Sequence, residues 1–158
     1  MKQGAMIDST GLYRYSLWRE WDTNSFKVTF VMLNPSRADA DVDDPTLRRC
    51  LGFARSWGCG SLEVVNLFAY RASQPDILTQ VSDPIGPEND RYLLEAIERA
   101  DKIVVAWGNR GSLRNRYQTV TSWLRGFKNI YCLGFTQTGH PRHPLYIRNN
   151  TVLLPYVP

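Results

Sequence analysis

Val28-Thr29-Phe30-Val31-Met32-Leu33 runs straight into Asn34-Pro35-Ser36, and the same design recurs three more times along the chain. Leu62-Glu63-Val64-Val65 stops at Asn66, and Ile103-Val104-Val105-Ala106 stops at Trp107-Gly108. Ile130-Tyr131-Cys132-Leu133 leads into a loop carrying Arg142-His143-Pro144. Helix-like stretches separate the four runs, so they read as parallel strands joined by crossovers. In open parallel sheets the ligand lies in the crevice at the carboxyl ends of the strands. The four tips therefore predict one shared site.

Working outward, Tyr13 to Trp18 alternates aromatic and polar residues before the turn residues Glu20 to Ser25, which predicts a strand paired in a hairpin with the first parallel strand. Asp44-Pro45 opens the first helix as N-cap and first helical position, and Leu47, Cys50, Leu51 and Ala54 form its core-facing stripe, ending near Gly58. A second helix follows Gly86-Pro87 and carries Leu93, Leu94, Ile97 and Ala100. A third is expected from Ser112, with Leu113, Tyr117, Val120 and Leu124 on one face and Gly126 as its stop. Arg71 to Pro84 reads as irregular, with room for one helical turn, and Val152 to Leu154 as a final edge strand. The expected fold is α/β: a three-layer sandwich with a central, mostly parallel sheet of four or more strands and an N-terminal β-hairpin.

Composition sets the outer bounds. The 158 residues, 43% of them hydrophobic, fit a single α/β domain spanning 1–158, with its core in about 12–155. No apolar stretch approaches the roughly 20 residues that a membrane span needs. The start, Met1 to Ala5, carries no apolar signal region, so a cytoplasmic protein is expected. Cys50, Cys59 and Cys132 cannot all pair, which fits a reducing compartment. Metal-ligand spacing is missing, and neither a metal nor another cofactor is expected. Net charge is +4, and arginine supplies most of the 19 basic residues, a bias that suits phosphate and carboxylate partners.

At the predicted crevice, Pro35 forces Asn34 into an extended conformation, with its amide free to orient a ligand or a water. Asn66 adds a second amide, as expected for reading a nucleobase edge. If the chain stays extended, Phe68 and Tyr70 share a side with Asn66 and offer stacking surfaces, with Arg71 beside them. Asp39, Asp41, Asp43 and Asp44 crowd the next loop, and Asp43 is the candidate general base. Trp107-Gly108 leads into a basic turn in which Arg110, Arg114 and Arg116 are candidate contacts for a nucleic-acid backbone, as is Arg142. His143 is held between prolines in a rigid loop and can act as acid, base or electrophile.

Assembled, these residues resemble the bacterial and phage family of unknown function DUF1643. The likeness is carried by Met32-Leu33-Asn34-Pro35-Ser36, Asp43-Asp44-Pro45-Thr46 and Arg48-Arg49-Cys50. It continues through Asn66-Leu67-Phe68-Ala69-Tyr70-Arg71, Ala106-Trp107-Gly108 and Pro141-Arg142-His143-Pro144-Leu145-Tyr146, over roughly residues 12 to 148. The order Asn-Pro, Asn, Trp-Gly and His-Pro is also similar to the uracil-DNA glycosylase superfamily. That resemblance implies that Asn34 holds the hydrolytic water, Asn66 reads the base and His143 stabilises the departing base, with Phe68 or Tyr70 stacking. It departs from the superfamily at Met32, where glycine is usual, and in a last loop without small serines.

Two functional expectations result. One is an enzyme acting on DNA or a nucleotide and hydrolysing an N-glycosidic bond, with Asn34, Asp43 and His143 in catalysis and Pro35, Ser36, Asn66, Phe68, Tyr70, Arg71, Trp107 and Gly108 binding substrate. The other is a module that binds a nucleobase or nucleotide without breaking it. A serine hydrolase built on Ser36 and His143 is a third reading, and it lacks the G-x-S-x-G elbow.

Overall fold

The structure is a computed structural model describing residues 1–158. The strands are β1 (Lys2–Ile7), β2 (Arg14–Glu20), β3 (Phe26–Met32), β4 (Cys59–Asn66), β5 (Lys102–Val105), β6 (Ile130–Cys132) and β7 (Leu154–Pro155). They form one sheet in the order β1-β2-β4-β3-β5-β6-β7. The helices are α1 (Pro45–Ser56), α2 (Asn89–Arg99) and α3 (Arg116–Leu124).

The four apolar runs read from the sequence form the contiguous block β4-β3-β5-β6, in which every pairing is parallel. Burial on both faces explains why these strands are continuously apolar rather than alternating. All eight residues of β4 are buried. The sheet as a whole is mixed, which corrects the expectation of a mostly parallel one. Antiparallel pairings β1·β2, β2·β4 and β6·β7 extend the block on both sides. Side-chain alternation divides the core in two. Val28, Phe30, Met32, Leu62 and Val64 pack with α1, while Val31, Leu33, Val65 and Leu67 pack with α2 and α3.

The hairpin needs a second correction. β2 pairs with β1 and β4, not with β3. Trp21 and Asp22 donate their N–H groups to Gly60 O at 2.9 and 3.0 Å, which ties the turn after β2 to the start of β4. A side chain at Gly60 would meet Asp22 O at 2.0 Å, so this close approach requires glycine. β1 escaped sequence reading because it is an edge strand in which only Gly4 is buried.

A β-bulge interrupts the β1–β2 ladder. Met6 stands opposite Ser16 and Ile7 opposite Arg14, leaving Tyr15 as the extra residue. Tyr15 stacks on Tyr92 of α2 at 5.1 Å, and Ser16 donates to Glu63 on that same face. With two successive residues spent on one face, Arg14 emerges on the α1 face, where its Nη1 donates to Ala38 O at 2.9 Å.

Helix α1 starts as its sequence predicts, with Pro45 in the first turn and Asp44 Oδ1 accepting the Leu47 N–H at 2.8 Å. Helix α2 begins at Asn89, with Leu93 and Ile97 buried. Helix α3 begins at Arg116, four residues later than expected. Asn109–Asn115 is 3-10 structure broken by a kink, at which Leu113 leaves helical geometry, and Arg114 and Asn115 take φ of 54° and 53°. The irregular stretch after Arg71 holds the 3-10 turn Pro75–Thr79. All three cysteines are buried and free. No helix is long and apolar enough to cross a membrane.

Candidate functional site

A cleft of about 740 Å³ opens at the carboxyl ends of the parallel strands. Asn34 and Ser36 after β3, Trp107 to Arg110 after β5, and His143, Leu145 and Tyr146 after β6 all line it. Asp44 to Leu47 bring the start of α1 to one side. Leu17, Met32, Leu33 and Val64 give it an apolar floor, which Arg14 joins. Three of the four predicted strand tips thus meet in one place, with Asn34, Ser36, Trp107, Gly108, Arg110 and His143 together, while the β4 tip, Asn66, does not reach the cleft.

Backbone contacts hold these loops. Asn34 Nδ2 donates to Pro35 O at 3.0 Å and to Ala72 O at 2.8 Å, so its amide nitrogen is committed and only Oδ1 is left for a ligand. Pro35 is buried behind the cleft, and its carbonyl accepts the Ala72 N–H. Gly108, at φ 73°, donates its N–H to Pro141 O at 2.8 Å, and Asn109 Oδ1 accepts the Thr136 and Thr138 hydroxyls. The loops after β5 and β6 are therefore clamped together. Trp107 is 1% exposed and its Nε1 has no partner; Gly111 packs so closely on the indole that a Cβ there would lie 2.2 Å from Cδ1.

His143 caps the 3-10 turn Pro144–Tyr146, its Nδ1 accepting the Leu145 N–H at 3.2 Å. A ring nitrogen that accepts a hydrogen bond carries the lone pair, so in the neutral ring the proton is on Nε2, which is a donor. Burial holds the imidazole below its ordinary pKa, against a smaller opposing pull from Asp44. Ser36 and His143 line the same cleft without a hydrogen bond between them; Ser36 Oγ lies 3.4 Å from Ser73 Oγ.

Other expected site residues lie elsewhere. Asp43 is outside the cleft, its Oδ1 accepting Nε and Nη2 of Arg19 at 3.2 and 2.9 Å. Asn66 is 1% exposed, on the same sheet face as Val64 and Met32, with Nδ2 and Oδ1 both unpartnered. Phe68 does not follow it to that side. The strand ends at Asn66, and Phe68, bonded through its N–H to Leu33 O, is 0% exposed in the core beneath α2 and α3. Tyr70 packs edge-on against Tyr13, and Arg71 Nη1 points to Gly11 O. No stacking pocket of Asn66, Phe68 and Tyr70 exists, because the chain does not stay extended past the strand.

The basic residues do not form one surface either. Arg116 is buried, bonding Leu67 O and Asp90, and Arg114 turns toward the Val81 and Ser82 carbonyls. Arg110 lines the cleft and pairs with Asp76, while Arg142 is exposed outside it. No three His, Cys, Asp or Glu side chains come together as a metal-ligand set.

Three charged cleft residues were not among the candidates. Asp44 was read only as a cap, yet it lines the cleft. Arg37 had a signal, its position directly after Asn34-Pro35-Ser36. Arg14 had none, since only the bulge sends it to this face. No curated protein and no solved structure matches the chain significantly. One family profile does, described as a protein of unknown function (DUF1643), and it matches residues 14–145. That span runs from the arginine on the cleft floor to the loop carrying His143, and on it the chain belongs to the DUF1643 family.

Proposed function

We propose that the protein binds a nucleotide, or the base-bearing part of a nucleic acid, in this cleft. The supporting observation is the cleft itself: a volume within the roughly 300–1,000 Å³ usual for small-molecule sites, an apolar floor for a ring, and polar groups converging from three strand ends. Oδ1 of Asn34 and Nε2–H of His143 provide an acceptor and a donor at its edge. Thermal unfolding with nucleobases, nucleosides and nucleotides tests the reading. A ligand at 100 times its dissociation constant adds about 2.7 kcal/mol of stability. Unfolding unmoved by every member of the series overturns it.

The His143 proton favours a second reading, hydrolysis of an N-glycosidic bond. A neutral imidazole donating through Nε2 is suited to stabilise a departing base anion, and Asn34 lies in the same cleft. The uncommitted carboxylate that would activate water is missing, since Asp43 holds Arg19 and Asp44 accepts two backbone N–H groups. DNA containing uracil or another modified base, incubated with the protein and then treated with alkali, should break at abasic sites. His143→Ala should slow such cleavage about 100- to 1000-fold. Intact DNA retires hydrolysis and leaves the binding reading standing, while cleavage that survives the substitution removes His143 from the reaction.

A further inference from the structure

Three arginines in this chain are less than a tenth exposed: Arg19, Arg116 and Arg14. A guanidinium presents Nε and Nη2 along one edge, and this edge grips an oxyanion side-on. Arg19 turns that edge to Asp43. Arg116 fills it with Leu67 O at 2.8 Å and Asp90 Oδ1 at 2.6 Å. Even the less buried Arg99 gives it to both oxygens of Glu63, at 3.0 and 2.7 Å. Arg14 alone among them leaves it empty.

Arg14 is 4% exposed and its only side-chain hydrogen bond runs from Nη1 to Ala38 O. Its Nε is buried without a partner, Nη2 makes no hydrogen bond, and no ion pair includes it. Burial lowers its pKa to about 10, so it is still a cation at neutral pH. An unpaired buried charge is costly; Asp44 offsets part of that cost from beyond ion-pair distance, and an anion entering the cleft would offset the rest. The bulge at Tyr15 is what aims this side chain at the cleft, and bulges are over-represented beside active sites for this purpose. Charge across the cleft agrees. Arg14 and Arg37 line it with no ion-pair partner, Arg110 lines it paired with Asp76, and Asp44 is its one carboxylate.

We propose that the Nε–Nη2 edge of Arg14 is the oxyanion grip of the cleft, and that the ligand it selects carries a terminal phosphate. The proposal rests on the nucleotide reading and narrows it to phosphorylated ligands. Arginine on the floor, rather than the rim, favours a terminal phosphate over the diesters of a duplex backbone. A phosphate monoester carries about −1.5 to −2 charges at neutral pH and three acceptor oxygens, which suits the unfilled Nε–Nη2 edge and the net positive lining of the cleft.

The test is titration of the full chain with inorganic phosphate, ribonucleoside 5′-monophosphates, the parent nucleosides, and oligonucleotides with and without a 5′-phosphate. The monophosphates should bind about tenfold to a hundredfold more tightly than the nucleosides, the range that charged hydrogen bonds supply. Arg14→Lys keeps the charge but loses the edge, and should abolish that preference. Should this variant fail to fold, the Arg14 Nε–H resonance of the wild-type protein serves instead; it should shift and exchange more slowly as phosphate is added. Equal binding of nucleosides and monophosphates overturns the proposal and leaves the nucleotide reading intact. So does equal binding of the two oligonucleotides, or a phosphate preference kept by folded Arg14→Lys. Inorganic phosphate moving the Arg14 resonance while no nucleoside or nucleotide binds better than phosphate supports the grip and overturns the nucleotide reading.

Discussion

Asp43 and Asp44 stand side by side ahead of α1, and their carboxylates serve different partners. Asp43 holds the buried Arg19 fork, while Asp44 accepts the Ala38 and Leu47 N–H groups and lines the cleft. Asp43→Asn leaves the Arg19 guanidinium, 1% exposed, facing a neutral amide. Breaking a fully buried pair costs about 3–5 kcal/mol. The Asp43 side chain is 37% exposed, so a loss nearer about 1–2 kcal/mol is expected in urea denaturation, with nucleotide affinity unchanged. A variant of normal stability and lost affinity would return Asp43 to the site. Pro45 marks Asp44 as the cap, but nothing in the run Asp39 to Asp44 shows that Asp43 is committed to an arginine. The distinction comes from Arg19, 24 residues earlier on β2, and from the way that strand lies across the loop.

Helix α1 joins stability to the site, because its N-cap is also the cleft's one carboxylate. Asp44→Ala should cost about 0.5–2 kcal/mol, the usual worth of a cap. Asp44→Ser keeps a capping oxygen and removes the charge. It should recover most of that stability while binding an anionic nucleotide more tightly than wild type, since the carboxylate repels it. Unchanged affinity in Asp44→Ser would place the carboxylate too far from the ligand to matter. This helix was legible because caps and stripes are local signals: Asp44, Pro45 and the Leu47–Ala54 spacing are all within one stretch of chain. The central strands were legible for the same reason, and their tips brought Asn34, Trp107, Gly108 and His143 to one cleft. Features set by tertiary pairing were not. The bulge at Tyr15 depends on β1, whose sequence shows no strand alternation, and the late start of α3 depends on two residues taking positive φ. Extending β4 past Asn66 put Phe68 on the wrong face, because Leu67 and Phe68 donate successive N–H groups to Met32 O and Leu33 O, which an extended chain with alternating N–H directions does not do.

Across the whole molecule, one buried carboxyl and one buried imidazole dominate the response to acid, and the partly exposed Asp8 and Asp39 carboxyls, also held low by hydrogen bonds, add to the carboxyl step. Burial alone would raise the Glu63 carboxyl, but Arg99, Ser16 and Lys27 outweigh it and hold it below its ordinary value of 4.5. That stabilisation is present above 4.5 and is lost as pH falls through the lower folded value. Burial likewise holds His143 below its ordinary value of 6.5. The unfolded chain then binds the extra proton first, so stability begins to fall once pH drops below 6.5 and stops falling beneath the folded value. Urea midpoints measured against pH should be level from neutrality up to the ordinary thiol value of 9.0, above which ionisation of Cys50, Cys59 and Cys132 in the unfolded chain lowers them again, and should decline in two steps on acidification. His143→Gln should erase the first step only; a first step that persists would assign it to another group. The pairing of β2 with β4 has a consequence in time. β2 precedes β3 in the chain, but its place in the sheet does not exist until residues 59–66 are laid down beside β3. A two-stranded ribbon is at best marginally stable alone, so β1 and β2 must wait as an unfinished flap while α1 carries the chain across. Assembly therefore runs from the middle outward, not from the first residue onward. Pulse-labelled amides of β3 and β4 should gain protection during refolding before those of β1, and the Tyr15 bulge, with the arginine it aims, should be among the last features to form.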